Sequence, residues 1–263
     1  MRKPVDCIEA VAFDLDGTLI DTAPDLGAAA NMMLVILGGR PLPEQRIPTF
    51  IGAGVGQFVA RVLTASLNET TPDPALQASA AALFRNLYAQ RLFERSHIYP
   101  GVREALLTLQ AARLTLCCIT NKESRFAGPL LEAAGLRAFF EFTLCADRAE
   151  DRKPSPNLLL AACARLGVEP RRLLYVGDSR ADIVAARAAG CRVVAVDYGY
   201  HHDLSLAETL PEAIVGSLTQ IVPLCAPPRS GARAPDTAKI ASFASDVEEC
   251  AASVFPSRKG VAL

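Results

Sequence analysis

Asp14 and Asp16 stand one residue apart, directly after the apolar run 11–13, and Gly17 and Thr18 close the segment. In an extended backbone, side chains two apart share a face, so both acids project the same way. Burying even one ionised carboxylate costs several kcal/mol unless it is paired, and two side by side repel. A hard divalent cation relieves that repulsion, and carboxylate oxygens are the ligands Mg²⁺ takes. A solvated acidic turn has the same spelling.

Three later segments carry residues suited to the same site. "CCITNKES" places Thr120 and Asn121 after an apolar run and before a helical one. A hydroxyl, an amide and free helix N–H groups there make a phosphate-binding position; a plain helix cap is the alternative. "DRKPSP" places Lys153 before Pro154. The chain has 22 arginines and five lysines, and away from its termini only Lys122 and Lys153 are lysine. A compact ammonium where arginine is otherwise used points to a site too narrow for a guanidinium, although a solvated loop lysine reads the same. "LLYVGDSRADI" runs a buried strand into Asp178 and Asp182, a second source of carboxylate oxygens.

The elements that must position these residues follow from hydropathy periodicity. Apolar runs at 11–13, 114–119, 142–145, 173–176 and 193–196 read as strands, and helical spacing appears at 103–112, 126–134, 156–166 and 182–189. That alternation predicts an α/β fold with a Rossmann-like parallel sheet covered by helices on both faces. Gly135, Gly167 and Gly190 fall where helices end. Residues 21–94 are helical in spacing, without a convincing strand. They read as an all-helical cap inserted after the first strand, the alternative being extra helices packed on a sheet face. The expected division is a discontinuous core of residues 1–20 and 96–225, a helical cap of residues 21–95, and a linker with C-terminal appendage at 226–263. In the appendage Ile240, Phe243, Val247, Cys250 and Val254 would line one face of a helix starting near Asp236.

The 263 residues are 51% hydrophobic and 21% charged with a net charge of −1, ordinary for a globular protein. No basic surface for nucleic acid, no apolar run long enough for a bilayer and no signal peptide are evident, so no nucleic-acid or membrane partner and a cytoplasmic setting are expected. The eight cysteines show no metal-ligand spacing and read as buried thiols. His97, His201 and His202 read as loop residues.

The segments "DLDGT", "ITN", "RKP" and "GDSRAD", in that order, resemble the four motifs of the haloacid-dehalogenase-like hydrolases, in the branch with a helical cap after the first strand. The likeness spans residues 11–224 and is closest to the bacterial phosphoglycolate phosphatases, through "FIGAGVGQFVARVL", "IYPGV" and "YGYHHD". The resemblance implies that Asp14 is a nucleophile forming an aspartyl-phosphate and Asp16 the general acid and base. Thr120 and Lys153 would hold the phosphoryl group. Mg²⁺ would sit on Asp14, Asp178 and the backbone carbonyl of Asp16, with Asp182 ordering metal-bound water or Lys153. Asn121 and the loop glycines Gly52 and Gly54 would meet the substrate; Gln57 stands where a dinucleotide loop needs its third glycine. Ala181 and Ala53 replace the asparagines usual in the resembled family. The implied reaction is Mg²⁺-dependent hydrolysis of 2-phosphoglycolate to glycolate and phosphate, by a monomer or small homo-oligomer. The alternatives are another small phosphorylated acid or sugar as substrate, or a catalytically idle phosphate-sensing or partner-binding protein on the same fold.

Overall fold

The computed structural model describes residues 7–67, 71–200 and 206–225. From β1 (Ala10–Phe13) the chain passes a two-residue strand β2 (Ile20–Asp21) and three helices, α1 (Ala23–Ile36), α2 (Gly54–Leu67) and α3 (Pro74–Ala89), to β3 (His97–Ile98). Then α4 (Val102–Ala111), β4 (Thr115–Thr120), α5 (Ser124–Ala133), β5 (Thr143–Cys145), α6 (Asn157–Leu166), β6 (Leu173–Gly177), α7 (Arg180–Ala189), β7 (Arg192–Val196) and β8 (Ala213–Val215) follow. Six strands form one parallel sheet in the order β5-β4-β1-β6-β7-β8. The chain winds outward from β1 through β4 to β5, then resumes on the other side of β1 at β6. Ligands of open α/β sheets bind outside the carboxyl ends of strands where the winding reverses.

Alternation along β1 shows why the sheet is buried on both faces. Val11 and Phe13 pack with α4 and α5 in one apolar cluster, whereas Ala10 and Ala12 pack with α6 and α7 in another. A third cluster lies within α1, α2 and α3, built on Met33, Leu34, Phe58, Phe84 and Tyr88. Each such large apolar side chain stabilises the fold by roughly 1.5–3 kcal/mol on burial.

The strand reading extended through Asp16, but β1 itself ends at Phe13. Asp14 N–H still donates to the Val176 carbonyl, at 2.9 Å, and Asp16 forms only an isolated bridge with Ile20. Gly17, at φ +87°, turns the chain, and its N–H donates to the Ile20 carbonyl. The short pair β2/β3 and the edge strand β8 were not anticipated, because two or three residues are too few to show a period. His97 lies on β3 rather than in a loop, with Nε2 3.8 Å from an Asp21 oxygen. His201, His202 and the appendage at 226–263 lie outside the described residues. Among the described residues no helix is long and apolar enough to cross a membrane, and Cys7, Cys117, Cys118, Cys145, Cys163, Cys191 and Cys225 are free thiols.

Candidate active site

Asp14, Thr120 and Asp178 each stand at or just past the carboxyl end of a neighbouring strand, β1, β4 and β6, so sheet topology alone assembles them. All three are buried. Lys153 enters from the segment before α6, and its Nζ lies 2.7 Å from Asp14 Oδ1 and 2.6 Å from Asp182 Oδ1. The same ammonium donates to the Tyr175 hydroxyl oxygen at 2.7 Å and the Ile119 carbonyl at 3.3 Å. Burial works against the Lys153 charge, but Asp14 and Asp182 outweigh it and hold the group above the ordinary lysine range. Asp14 Oδ1 is buried, and the Lys153 ammonium is the one cation it meets among the described residues.

Asp182 is fully occupied. Its Oδ1 accepts from Lys153 and from the Tyr175 hydroxyl, and its Oδ2 accepts from the Ser179 N–H at 3.0 Å and the Ser179 hydroxyl at 2.5 Å. With Ser179 it forms the capping box that starts α7. Burial pushes its carboxyl up, yet Lys153 and Ser179 bring it below the ordinary carboxylate range. A Cβ on Gly177 would fall 2.5 Å from Asp182 Cγ, which explains glycine at the end of β6.

Asp14, Asp178 and Asp182 each bring a carboxylate oxygen within 4.8 Å of the others. Burial, reinforced by Asp182 and Asp14, pushes the Asp178 carboxyl well up, despite the Tyr200 N–H at 2.6 Å and the Thr18 hydroxyl at 3.0 Å. Burial likewise pushes Asp14 up to about 7 against the pull of Lys153. Dehydrated carboxylates facing one another are what a hard divalent cation would neutralise, and the donors are all oxygen. With Asp182 committed to Lys153 and Ser179, Asp14 and Asp178 have oxygens to offer. The residues fit such an ion.

The Asp16 carboxylate turns away from that cluster. It accepts from the Thr22 hydroxyl at 2.6 Å and from Lys122 Nζ at 2.9 and 3.2 Å. Lys122 is buried, with its ammonium 4.8 Å from the centroid of the Tyr88 ring. Burial opposes its charge, but Asp16 and Tyr88 raise it above the ordinary lysine range. Motif spacing gave Lys122 no role; the signal that could have found it is the scarcity of lysine. Tyr200 was also missed. Its hydroxyl donates to Asp21 at 2.5 Å and accepts from the N–H groups of Thr22 and Ala23, fastening the end of the β7 segment to the start of α1.

A cavity of about 60 Å³ opens between the sheet edge and the helices, reaching Asp14, Asp16, Thr120, Asn121, Gly52 and Gly54. Thr120 Oγ1 accepts the Lys122 N–H at 3.1 Å, which leaves its own hydroxyl hydrogen to donate. The Asn121 amide is committed to backbone: Nδ2 donates to the carbonyls of Gly52 (2.8 Å) and Lys153 (3.1 Å), and Oδ1 accepts the Lys153 N–H (2.8 Å). Asn121 thus latches the Gly52 loop to the Lys153 loop, and Gly52 meets it through a carbonyl. Gly54 opens α2 at φ +78°.

A parallel α/β sheet that gathers carboxylates, a hydroxyl and a buried ammonium at its carboxyl edge is the architecture of an enzyme of the Rossmann-like class. The family model for haloacid dehalogenase-like hydrolases matches residues 8–190, and the chain belongs to that family. A phosphoglycolate phosphatase of Thiobacillus denitrificans is 46% identical over 214 residues, 81% of this chain and 93% of that protein. One from Nitrosospira multiformis is 45% identical over 217 residues, 82% of this chain and 95% of that protein. Among solved structures, a predicted phosphoglycolate phosphatase from Haemophilus somnus superposes with a TM-score of 0.79 at 30% identity, covering 83% of this chain and 98% of that one.

Proposed function

We propose that this enzyme is a phosphomonoesterase that converts 2-phosphoglycolate to glycolate and phosphate through an aspartyl-phosphate on Asp14. The observation that carries the reading is the buried Asp14 carboxylate, 2.7 Å from the Lys153 ammonium and lining a small cavity. An Asp14 oxygen attacks phosphorus and the phosphorus–oxygen ester bond breaks, with Asp16 giving its proton to the departing glycolate oxygen. Water then attacks phosphorus, Asp16 takes a proton from it, and the Asp14–phosphorus bond breaks to release phosphate. The Thr120 hydroxyl and the Lys153 ammonium are placed to meet charge on the phosphoryl oxygens. Asp182 positions Lys153, and Asn121 holds the Gly52 loop against the site. Asp14, Asp178 and the Asp16 carbonyl would hold Mg²⁺, which when bound supplies electrophilic stabilisation of phosphoryl charge.

In this reading, residues 21–95 act as a cap over a core made of residues 1–20 and 96–225, and closure keeps water from the first displacement. The names of the bacterial relatives and the free thiols support a small phosphorylated acid as substrate and a cytoplasmic setting. The test is phosphate release from a panel of small phosphomonoesters with Mg²⁺ or EDTA, for wild type and Asp14→Asn. Metal-dependent release, fastest from 2-phosphoglycolate and at least about 10³-fold lower in Asp14→Asn, is expected. Equal release by the variant would overturn the mechanism, and a faster ester would overturn the substrate.

A further inference from the structure

The catalytic cavity has a mixed lining: Asp14, Asp16, Thr120 and Lys122 are polar or charged, and Leu26, Ile51, Val55, Phe58 and Phe84 are apolar. Among the described residues lining it, Lys122 is the one basic side chain. An ammonium has three donors, yet among the described residues both hydrogen bonds of Lys122 Nζ with full geometry go to a single carboxylate, Asp16, and Tyr88 is its other neighbour. The nitrogen also lies 4.8 Å from the centroid of the Tyr88 ring, an aromatic surface that favours a cation. The first turn of α2, at Gly54 and Val55, opens on the same cavity and adds the positive end of a helix dipole.

We infer that the Lys122 ammonium recognises the carboxylate of the substrate, so that Lys122 sets the preference for an acidic over a neutral phosphate ester. The inference rests on the 2-phosphoglycolate reading and deepens it. A phosphoryl group beside Asp14, Thr120 and Lys153 leaves the rest of a two-carbon ester in the cavity that Lys122 also lines. There an anion meets an under-used cation in a dehydrated, mostly apolar setting, where charge-assisted hydrogen bonds are strongest. A neutral ester leaves that donor unused. The compact ammonium lies between Asp16 and the Tyr88 ring, as a point charge that both can approach. Besides Lys153, Arg152 is a cation near this edge. A Cβ on Gly54 would approach its Nε to 3.0 Å, and that Nε is buried without a hydrogen-bond partner, but Arg152 does not line the cavity.

The experiment compares kcat/KM for 2-phosphoglycolate and for ethyl phosphate, its counterpart with a methyl group in place of the carboxylate. Wild type, Lys122→Met and Arg152→Met are measured at saturating Mg²⁺, each checked for a cooperative thermal transition. Lys122→Met keeps the aliphatic stem and removes the charge. It should lower the ratio of the two kcat/KM values by roughly 10- to 100-fold, the worth of one charge-assisted hydrogen bond, mostly through KM for 2-phosphoglycolate. Arg152→Met should leave the ratio within about 3-fold of wild type. A wild type without preference for the acidic ester overturns the substrate reading, and this inference with it. A wild-type preference that survives Lys122→Met overturns the inference alone, as does a loss shared equally by both esters, which would assign Lys122 to the support of Asp16. A preference lost in Arg152→Met and kept in Lys122→Met would move the recognition to Arg152.

Discussion

The Asp25 carboxylate, in the first turn of α1, accepts both the N–H (3.0 Å) and the hydroxyl (2.5 Å) of Ser96, the residue before β3. Its other oxygen accepts the Arg95 N–H at 2.8 Å. One side chain therefore ties the segment entering the helical layer to the segment leaving it, 71 residues later. Just upstream, β2 and β3 pair Ile20 with Ile98, so the two crossings behave as one unit.

Asp25→Ala strands three donors, two of them on the buried Ser96, and leaves a gap at a position only 1% exposed. Donors to an ionised acceptor contribute about 1.5–3 kcal/mol each before compensation by water. A loss of about 2–4 kcal/mol in unfolding free energy is expected, read by urea denaturation. Asp25→Asn, which keeps one of the two acceptor oxygens, should lose about half as much. A change below about 0.5 kcal/mol in Asp25→Ala would show that the tie has no energetic role.

The site also makes a statement about pH. Burial first, then Asp182 and Asp16, raise Asp14 to about 7 in the folded protein against the pull of Lys153, and Asp178 is raised as well. Without metal, the folded state therefore holds protons that the unfolded chain has already released at pH 4–7. Wherever the folded state binds more protons, stability falls as pH rises. The Asp14 part of this contribution is complete below the ordinary carboxylate pKa near 4 and is lost by the time pH passes about 7. Asp182, held low by Lys153 and Ser179 despite its burial, acts in the opposite sense but at lower pH, so it does not cancel the trend. Thermal unfolding in EDTA from pH 4.5 to 8 should show a declining Tm in wild type and a flatter profile in Asp14→Asn. Mg²⁺ should restore stability most at the alkaline end. Parallel profiles for wild type and Asp14→Asn would remove Asp14 from the account.

Much of this was legible in the sequence where residues are adjacent or periodic. Val11 and Phe13 alternate with Ala10 and Ala12, so β1 announces a strand buried on both faces, and Asp14 falls at its carboxyl end by counting. Asp182 sits three residues after Ser179, a local spacing that also caps α7. What was not legible depends on contacts distant along the chain. Lys122 meets Asp16 across 106 residues and Tyr200 meets Asp21 across 179, and neither pair shares a motif. The Asn121 amide reads as a ligand group from its place after β4. Only the fold shows it spent on the Gly52 and Lys153 backbones.

Lys153 is the position where that scarcity of lysine bears directly on chemistry. Its ammonium fits among Asp14, Asp182, the Tyr175 hydroxyl and the Ile119 carbonyl at 2.6–3.3 Å, with Tyr175 fully buried behind it. A guanidinium keeps the charge but spreads it over a plane that this space cannot take without moving Tyr175 or Asp182. Overpacking of that kind costs about 1–3 kcal/mol, and displacing the cation from Asp14 removes charge stabilisation where phosphoryl transfer needs it. Lys153→Arg should therefore fold with a modestly lower Tm while kcat falls at least about 100-fold. Lys153→Met, which leaves Asp14 and Asp182 buried and unpaired, should lose about 3–5 kcal/mol of stability. The two variants separate geometry from charge. If Lys153→Arg retained even half of the wild-type kcat, the argument from a narrow site would fail and any buried cation would suffice beside Asp14.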